Sequence, residues 1–128
     1  MASKFATVIN CMDGRVQDPV NSWMKDRTGA DYIDVITEAG PDRIMGSTAT
    51  ASRLILQRIL VSRDTHHSTE LALVAHHDCA GNPVSKEKHL KQLHRSAKIL
   101  ETWDLGMHIM MLWVDKHWNV ELIEEITS

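Results

Sequence analysis

The sequence has little of what marks fibrous, secreted or membrane proteins. Its 128 residues include only two cysteines and three prolines, and no internal repeat or low-complexity segment interrupts them. This composition excludes a collagen-like chain and a disulfide scaffold. No apolar run approaches the ~20 residues of a membrane-spanning helix, and no signal-peptide pattern precedes the first apolar segment. We therefore expect a cytoplasmic protein with no membrane partner.

An excess of positive charge is also absent. Fourteen Lys and Arg residues face seventeen Asp and Glu residues, which leaves a formal net charge of −3, and the two signs are interspersed. A nucleic-acid partner is not expected, because phosphate neutralisation needs a basic face. The length suits one domain of about 100–150 residues, and no Pro, Gly or Ser linker divides it. We expect a single domain over residues 1–128.

What the sequence does contain is an alternation of strand-like and helix-like segments. Short apolar segments predict strands at residues 5–11, 32–36, 71–75 and 108–114, with a possible antiparallel edge strand at 120–123. Helical periodicity lies between them, at residues 17–24, 42–63 and 85–103. This order predicts an α/β fold: a central, mostly parallel β-sheet of about four strands plus the edge strand, flanked by helices.

The third helical segment carries two histidines that need an interpretation. His89 and His94 are five residues apart, so they do not share a helix face as a metal-binding pair four apart would. We interpret both as surface residues. Three tryptophans, Trp103, Trp113 and Trp118, are expected to supply core or dimer contacts rather than a ligand platform.

Metal-binding residue types follow two of the predicted strands. Cys11 ends the first strand, and His76 and Cys79 follow the third. Sites in parallel sheets lie beyond the carboxyl ends of the strands, so the three side chains would converge if these strands are neighbours. Two cysteines and one histidine suit zinc and leave a fourth position open, as in catalytic sites. Two unrelated cysteines in buried strands remain the alternative.

Asp13 and Arg15 follow Cys11 at alternate positions. Asp13 could occupy the fourth coordination position and close the site. Alternatively, Arg15 could hold the carboxylate back and leave room for a water molecule, as a pair around a metal ligand can do. The third possibility is an ordinary ion pair of a loop, which contributes little.

These motifs resemble those of the β-class carbonic anhydrases. Residues 11–15 read Cys-Met-Asp-Gly-Arg, which is similar to the family's Cys-x-Asp-x-Arg motif. Residues 76–79 read His-His-Asp-Cys, which is similar to its His-x-x-Cys motif, and small residues follow at 80–81. Residues 34–40 resemble the family's second strand and its Asn-Ala-Gly loop.

The resemblance implies a specific activity. One zinc ion (Zn2+) per chain would be bound by Cys11, His76 and Cys79, with Asp13 and Arg15 as the catalytic pair. The reaction would be the reversible hydration of carbon dioxide to bicarbonate by a zinc-bound hydroxide, in a homodimer or higher homo-oligomer with its sites near the subunit interface. Two thiolates would cancel the charge of the metal, so we expect activity to favour mildly alkaline pH. His77 is a candidate proton shuttle, although a solvent-facing or packing role is the simpler expectation.

The sequence also departs from the family pattern. Cys11 follows only ten residues, where family members carry a longer helical arm, so we expect the contact between subunits to be built otherwise. Glu38 stands where the family usually has Asn, and a carboxylate bordering the pocket would repel bicarbonate.

Three alternatives follow from these departures. The first is a related zinc hydrolase acting on carbonyl sulfide or carbon disulfide. The second is a non-catalytic zinc-binding protein of the same fold. The third is a thiol redox protein, although the chain lacks a Cys-x-x-Cys motif.

Overall fold

A computed structural model describes residues 2–127 and confirms the α/β fold. Five strands form one sheet: β1 (Phe5–Cys11), β2 (Tyr32–Glu38), β3 (Glu70–His76), β4 (His108–Val114) and β5 (Val120–Thr127). Their order in the sheet is β2-β1-β3-β4-β5. The first four run parallel, and β5 runs antiparallel to β4. The predicted edge strand is therefore confirmed, and it extends four residues beyond the predicted end.

Helices cover both faces of the sheet. They are α1 (Gln17–Thr28), α2 (Pro41–Met45), α3 (Ala49–Thr65) and α4 (Lys86–Thr102), with a 3₁₀ turn at Gly14–Val16. One core cluster joins α1 to the sheet, and the other joins α2, α3 and α4 to the opposite face. The central strands are apolar at nearly every position because helices cover them from both sides.

The long helix predicted over residues 42–63 is two helices. The chain leaves the helical path at residues 46–48, between α2 and α3. Thr48 is extended (φ −142°, ψ 155°), and its hydroxyl accepts a hydrogen bond from the backbone N–H of Ala51. A capping threonine starts a new helix where the apolar spacing alone runs on without a break. The side chain of Leu54, one of the apolar residues within the predicted helical range 42–63, is exposed.

The surface assignment of His89 is wrong. Its side chain is 1% exposed, and its Nδ1 lies 2.6 Å from Oδ2 of Asp42, which is equally buried. His89 lies four residues before the buried Leu93, so it belongs to the buried face of α4. His94 is exposed and pairs with Glu124. A spacing of five residues indicates that the two histidines do not share a helix face, but it does not indicate which of them faces the core.

The tryptophans differ in their environments. Trp113 is buried on β4, as expected of a core residue. Trp103 and Trp118 are partly buried, and they pack against opposite core clusters. Within residues 2–127, the helices are all too short or too polar to cross a bilayer.

Candidate metal centre

Three potential ligands converge at the carboxyl edge of the sheet. Cys11 is the last residue of β1, His76 is the last residue of β3, and Cys79 lies in the loop that follows β3. Strands β1 and β3 are parallel neighbours, so their ends meet at one edge. The ligand atoms of the three residues all lie within 4.8 Å of one another, and all three residues are buried. The two sulfur atoms are 3.8 Å apart.

The ring of His76 is oriented by the backbone of the next residue. Its Nδ1–H donates to the carbonyl oxygen of His77 at 2.7 Å. The other ring nitrogen, Nε2, is buried and has no hydrogen-bond partner among residues 2–127. A buried nitrogen without a partner is costly, and a backbone bond at the opposite nitrogen is the usual support of a metal-binding imidazole. The His76 ring is thus held as a zinc ligand needs to be.

The two thiols perturb each other strongly. A hydrogen bond from the Cys79 thiol lowers the pKa of Cys11, against the opposing effect of burial, and His76 contributes in the same direction. The same contact raises the pKa of Cys79. Burial alone would lower the pKa of His76, but the neighbouring Cys11 and the His77 carbonyl raise it overall. The trio therefore favours a thiolate at Cys11, which is the form in which cysteine binds a metal ion.

Asp13 is paired with Arg15 in this structure. Arg15 Nη2 donates to Asp13 Oδ2 at 2.7 Å, and its Nε donates to Oδ1 at 3.1 Å. The backbone N–H of Arg15 also donates to Oδ1, so Asp13 caps the 3₁₀ turn. These bonds lower the pKa of Asp13 to about 2. The carboxylate is consequently an anion at neutral pH, and it is engaged by Arg15.

Two residues around Arg15 were missed by the sequence analysis. Asp78 accepts hydrogen bonds from Arg15 at its carboxylate Oδ2 (3.2 Å) and at its backbone carbonyl (3.1 Å). The indole of Trp118 lies against the guanidinium, with 4.7 Å from Cζ to the ring centroid. Asp78 stands inside the His-x-x-Cys motif, where its acidic character was a usable signal. Nothing in the sequence pattern connects Trp118, more than one hundred residues away, to Arg15.

A cleft of about 330 Å³ opens beside Cys11. Its lining consists of small or apolar residues and one carboxylate: Cys11, Met12, Asp13, Gly14, Ala39, Ala80 and Gly81. Two glycines allow its walls to approach. A Cβ on Gly81 would lie 2.5 Å from the carbonyl carbon of Ala39, and Gly40 has φ +74° with a Cβ position 2.7 Å from Asn82 Cβ. Ala39 and Gly40 belong to the loop after β2, and Gly81 and Asn82 belong to the loop after β3. Close packing of these two loops keeps the cleft small.

Glu38 does not face this cleft. Its carboxylate Oε1 lies 3.2 Å from Arg58 Nη1 on α3, and only its backbone carbonyl reaches the site loop, where it accepts from the N–H of Met12. The repulsion expected between Glu38 and a bicarbonate ion is therefore not supported, because the charge points towards α3 and is paired there.

His77 lies at a different cavity. It lines a space of about 410 Å³ together with Trp113 of β4, Lys86 at the start of α4, and residues of the loop before α4. That cavity shares Cys79 with the site but not Asp13 or Cys11. The geometry favours a solvent-facing role for His77 over a proton shuttle at the cleft.

Comparison with known proteins supports the resemblance. A family model described as putative carbonic anhydrase matches residues 1–124. A tetrameric β-carbonic anhydrase of Sordaria macrospora has a TM-score of 0.63 and 10% identity, covering 99% of this chain and 84% of that one. A carbonic anhydrase from Glaciozyma antarctica has a TM-score of 0.64 and 15% identity, covering 96% and 83%.

A third solved structure is similar to this chain over most of the length of both proteins. The β-carbonic anhydrase CafA of Aspergillus fumigatus has a TM-score of 0.52 and 14% identity, covering 96% of this chain and 76% of that one. At these identities the solved structures show a shared fold. No curated protein sequence matches the chain.

Proposed function

The chain belongs to the family described as putative carbonic anhydrase, and from that membership we propose that it catalyses the reversible hydration of carbon dioxide to bicarbonate. The observation that carries the proposal is the convergence of two thiols and one imidazole at the carboxyl edge of the sheet. One zinc ion per chain is the cofactor that suits this donor set.

Cys11, His76 and Cys79 would hold the zinc. The unpartnered Nε2 of His76 and the 3.8 Å separation of the two buried sulfurs support this assignment. Zinc at this place would supply a bound water of lowered pKa. Two thiolates neutralise the formal charge of the metal, so this water should be less acidic than at a site with three histidines. We expect activity to rise from neutral to mildly alkaline pH.

Asp13 and Arg15 have separate roles in this proposal. Asp13 lines the cleft, and its carboxylate would accept a hydrogen bond from the attacking water and so orient it towards the carbon. Arg15 keeps Asp13 ionised and, by binding its carboxylate, would hold it off the metal. A neutral substrate suits the lining, because apart from Asp13 the cleft is lined by apolar or small uncharged residues.

The test is stopped-flow measurement of carbon dioxide hydration on protein of known zinc content, from neutral to alkaline pH. We expect about one zinc per chain, activity that rises with pH, loss of zinc in Cys11→Ser, and retained zinc with loss of activity in Asp13→Asn. Glu38→Gln is the matched control, because its carboxylate points away from the cleft. Zinc at one per chain without hydration at any pH would refute the proposal and direct attention to carbonyl sulfide and carbon disulfide.

The remaining expectations are part of the same proposal. We infer one domain over residues 1–128, a cytoplasmic location, and assembly into a homodimer or a higher homo-oligomer. The assembly is supported by the edge strand β2 and by large apolar side chains that are exposed on β2 and α3. Carbon dioxide and bicarbonate are the proposed small-molecule partners.

A further inference from the structure

Arg15 is held by three separate segments of the chain. Asp13 belongs to the loop after β1, Asp78 to the loop after β3, and Trp118 to the turn between β4 and β5. The two aspartates engage the edge of the guanidinium through hydrogen bonds. Trp118 covers its face, at 4.7 Å from Cζ to the ring centroid. An aromatic face at this distance attracts a cation, and the attraction is strongest for tryptophan.

Hydrogen bonds within the turn between β4 and β5 fix the backbone around Trp118. Asp115 Oδ1 accepts from the backbone N–H groups of His117 and Asn119, at 2.8 and 3.0 Å. The backbone N–H of Trp118 donates to the carbonyl of Asp115 at 2.9 Å. Trp118 itself has φ +63°, a conformation that bulky residues rarely adopt. Since a glycine or asparagine would suit this backbone better, a requirement for the indole explains why tryptophan stands there.

We propose that Trp118 is a positioning residue, which, by stacking on Arg15, holds the Asp13 carboxylate away from the metal and keeps the fourth coordination position open. This inference rests on the metal centre of the proposed function and not on its substrate. Asp13 lines the same cleft as the ligand Cys11, so a carboxylate released by Arg15 has a short path to the metal.

The hydrogen bonds of Arg15 alone do not hold the Asp13 carboxylate away from the metal. The Arg15 side chain is 47% exposed, that of Asp13 is 18% exposed and that of Asp78 is 70% exposed, so water and salt compete for the guanidinium and for its contact with Asp78. The indole excludes water from one face of the guanidinium and restricts its rotamers. Removing it therefore increases the fraction of time in which Asp13 is free to bind the metal.

The test uses cobalt(II)-loaded protein and azide, at one fixed pH. Azide binds an open coordination position and changes the visible spectrum of cobalt, and an Asp13 carboxylate on the metal competes with it. We expect Trp118→Ala to raise the ratio of Asp13-bound to open metal about two- to fivefold, the range that an exposed cation–π contact supports, and so to weaken azide binding by up to that factor. We expect Trp118→Phe, which keeps an aromatic face, to recover part of the affinity.

A double variant separates positioning from a merely structural role. In an Asp13→Ala background, Trp118→Ala should leave azide affinity unchanged, because no carboxylate remains to compete. Trp103→Ala is the control, since Trp103 is also partly buried but packs on the opposite core cluster. Trp118→Leu replaces the alanine variant if that one does not fold.

Two results would overturn the inference. One is azide affinity that stays at the wild-type value in both Trp118→Ala and Trp118→Leu, and the other is an equal loss with and without Asp13. Azide binding needs no carbon dioxide, so a protein that binds azide as expected but does not hydrate carbon dioxide would refute the proposed activity alone. A protein that binds no cobalt would refute both.

Discussion

At the scale of single residues, the acid–base state of the centre is set by short contacts. Asp13 illustrates this, because three donor groups of Arg15 engage its carboxylate and lower its pKa to about 2 from an ordinary 3.8. A carboxylate with a lowered pKa stabilises the folded protein above its ordinary pKa, and the contribution disappears as the pH falls through the folded-state value.

We therefore predict a pH-dependent cost for Asp13→Asn. In metal-free protein the substitution should lower the free energy of unfolding at neutral pH by about 1 kcal/mol, the upper range for an exposed pair of good geometry. The difference from wild type should shrink as the pH falls from about 4 towards about 2. Urea unfolding at several pH values measures it. Asp26→Asn, at an exposed position of α1, is the control, and a cost independent of pH would contradict the argument.

His89 and His94 offer a second comparison at this scale. His89→Ala would leave the buried Asp42 carboxylate without its partner, and Asp42 Oδ1 already lacks a hydrogen bond among residues 2–127. Breaking such a buried pair costs about 3–5 kcal/mol. His94→Ala removes an exposed contact with Glu124 and should cost less than about 1 kcal/mol. Urea denaturation of both variants tests the contrast, and equal costs would show that the Asp42–His89 pair does not support the fold.

At the scale of elements, three loops line the cleft, and the close approach of two of them depends on glycine. The loop after β2 meets the loop after β3 where Gly81 lies against Ala39. We expect this approach to hold Cys79 in position, because Gly81 lies only two residues after Cys79 in the chain. The shape of the cleft is thus a property of loop packing rather than of either loop alone.

Gly81→Ala should disturb both stability and metal binding. A Cβ at this position would lie 2.5 Å from the Ala39 carbonyl carbon, so the backbone must shift, at a cost of about 1–3 kcal/mol. We expect weaker zinc binding in a chelator competition assay and a lower free energy of unfolding. Gly14→Ala is the matched control, because it lines the same cleft and its Cβ would meet nothing within 4 Å. Unchanged zinc affinity in Gly81→Ala would contradict the role given to this contact.

At the scale of the whole molecule, the two edge strands of the sheet, β2 and β5, differ in the side chains that they expose. Strand β5 at one edge has a mixed pattern of partly buried and exposed residues, whereas β2 at the other edge exposes Tyr32 and Val35. Leu54 and Val61 are exposed on α3, which contacts β2. A strand edge beside exposed apolar side chains favours association with a second copy.

We predict that charges on this side reduce the oligomeric state. Val35→Lys combined with Val61→Lys should shift the protein towards monomer in size-exclusion chromatography with light scattering, because two like charges that line one pocket are costly to bury in an interface. Lys91→Glu, at an exposed position of α4, should leave the distribution unchanged. A wild-type protein that is monomeric at all concentrations would refute the proposed assembly.

Much of this protein follows from its sequence alone. Buried parallel strands need continuous apolar segments, and the amphipathic helices between them need a 3.6-residue period, so the element order and the α/β fold were predictable. The ends of β1 and β3 also placed Cys11, His76 and Cys79 at one edge, because parallel neighbours share their carboxyl ends. Local patterns carried this information, whereas the adjacency of β1 and β3, on which the convergence of the three side chains depends, was shown by the structure.

Only the tertiary structure decided how those residues are engaged. The pairing of Asp13 with Arg15, the turning of Glu38 towards Arg58, and the burial of His89 against Asp42 all depend on side-chain directions. The stacking of Trp118 on Arg15 joins positions more than one hundred residues apart. Such contacts leave no periodic trace in the sequence, because each depends on where loops meet in space rather than on the spacing of residues along one element.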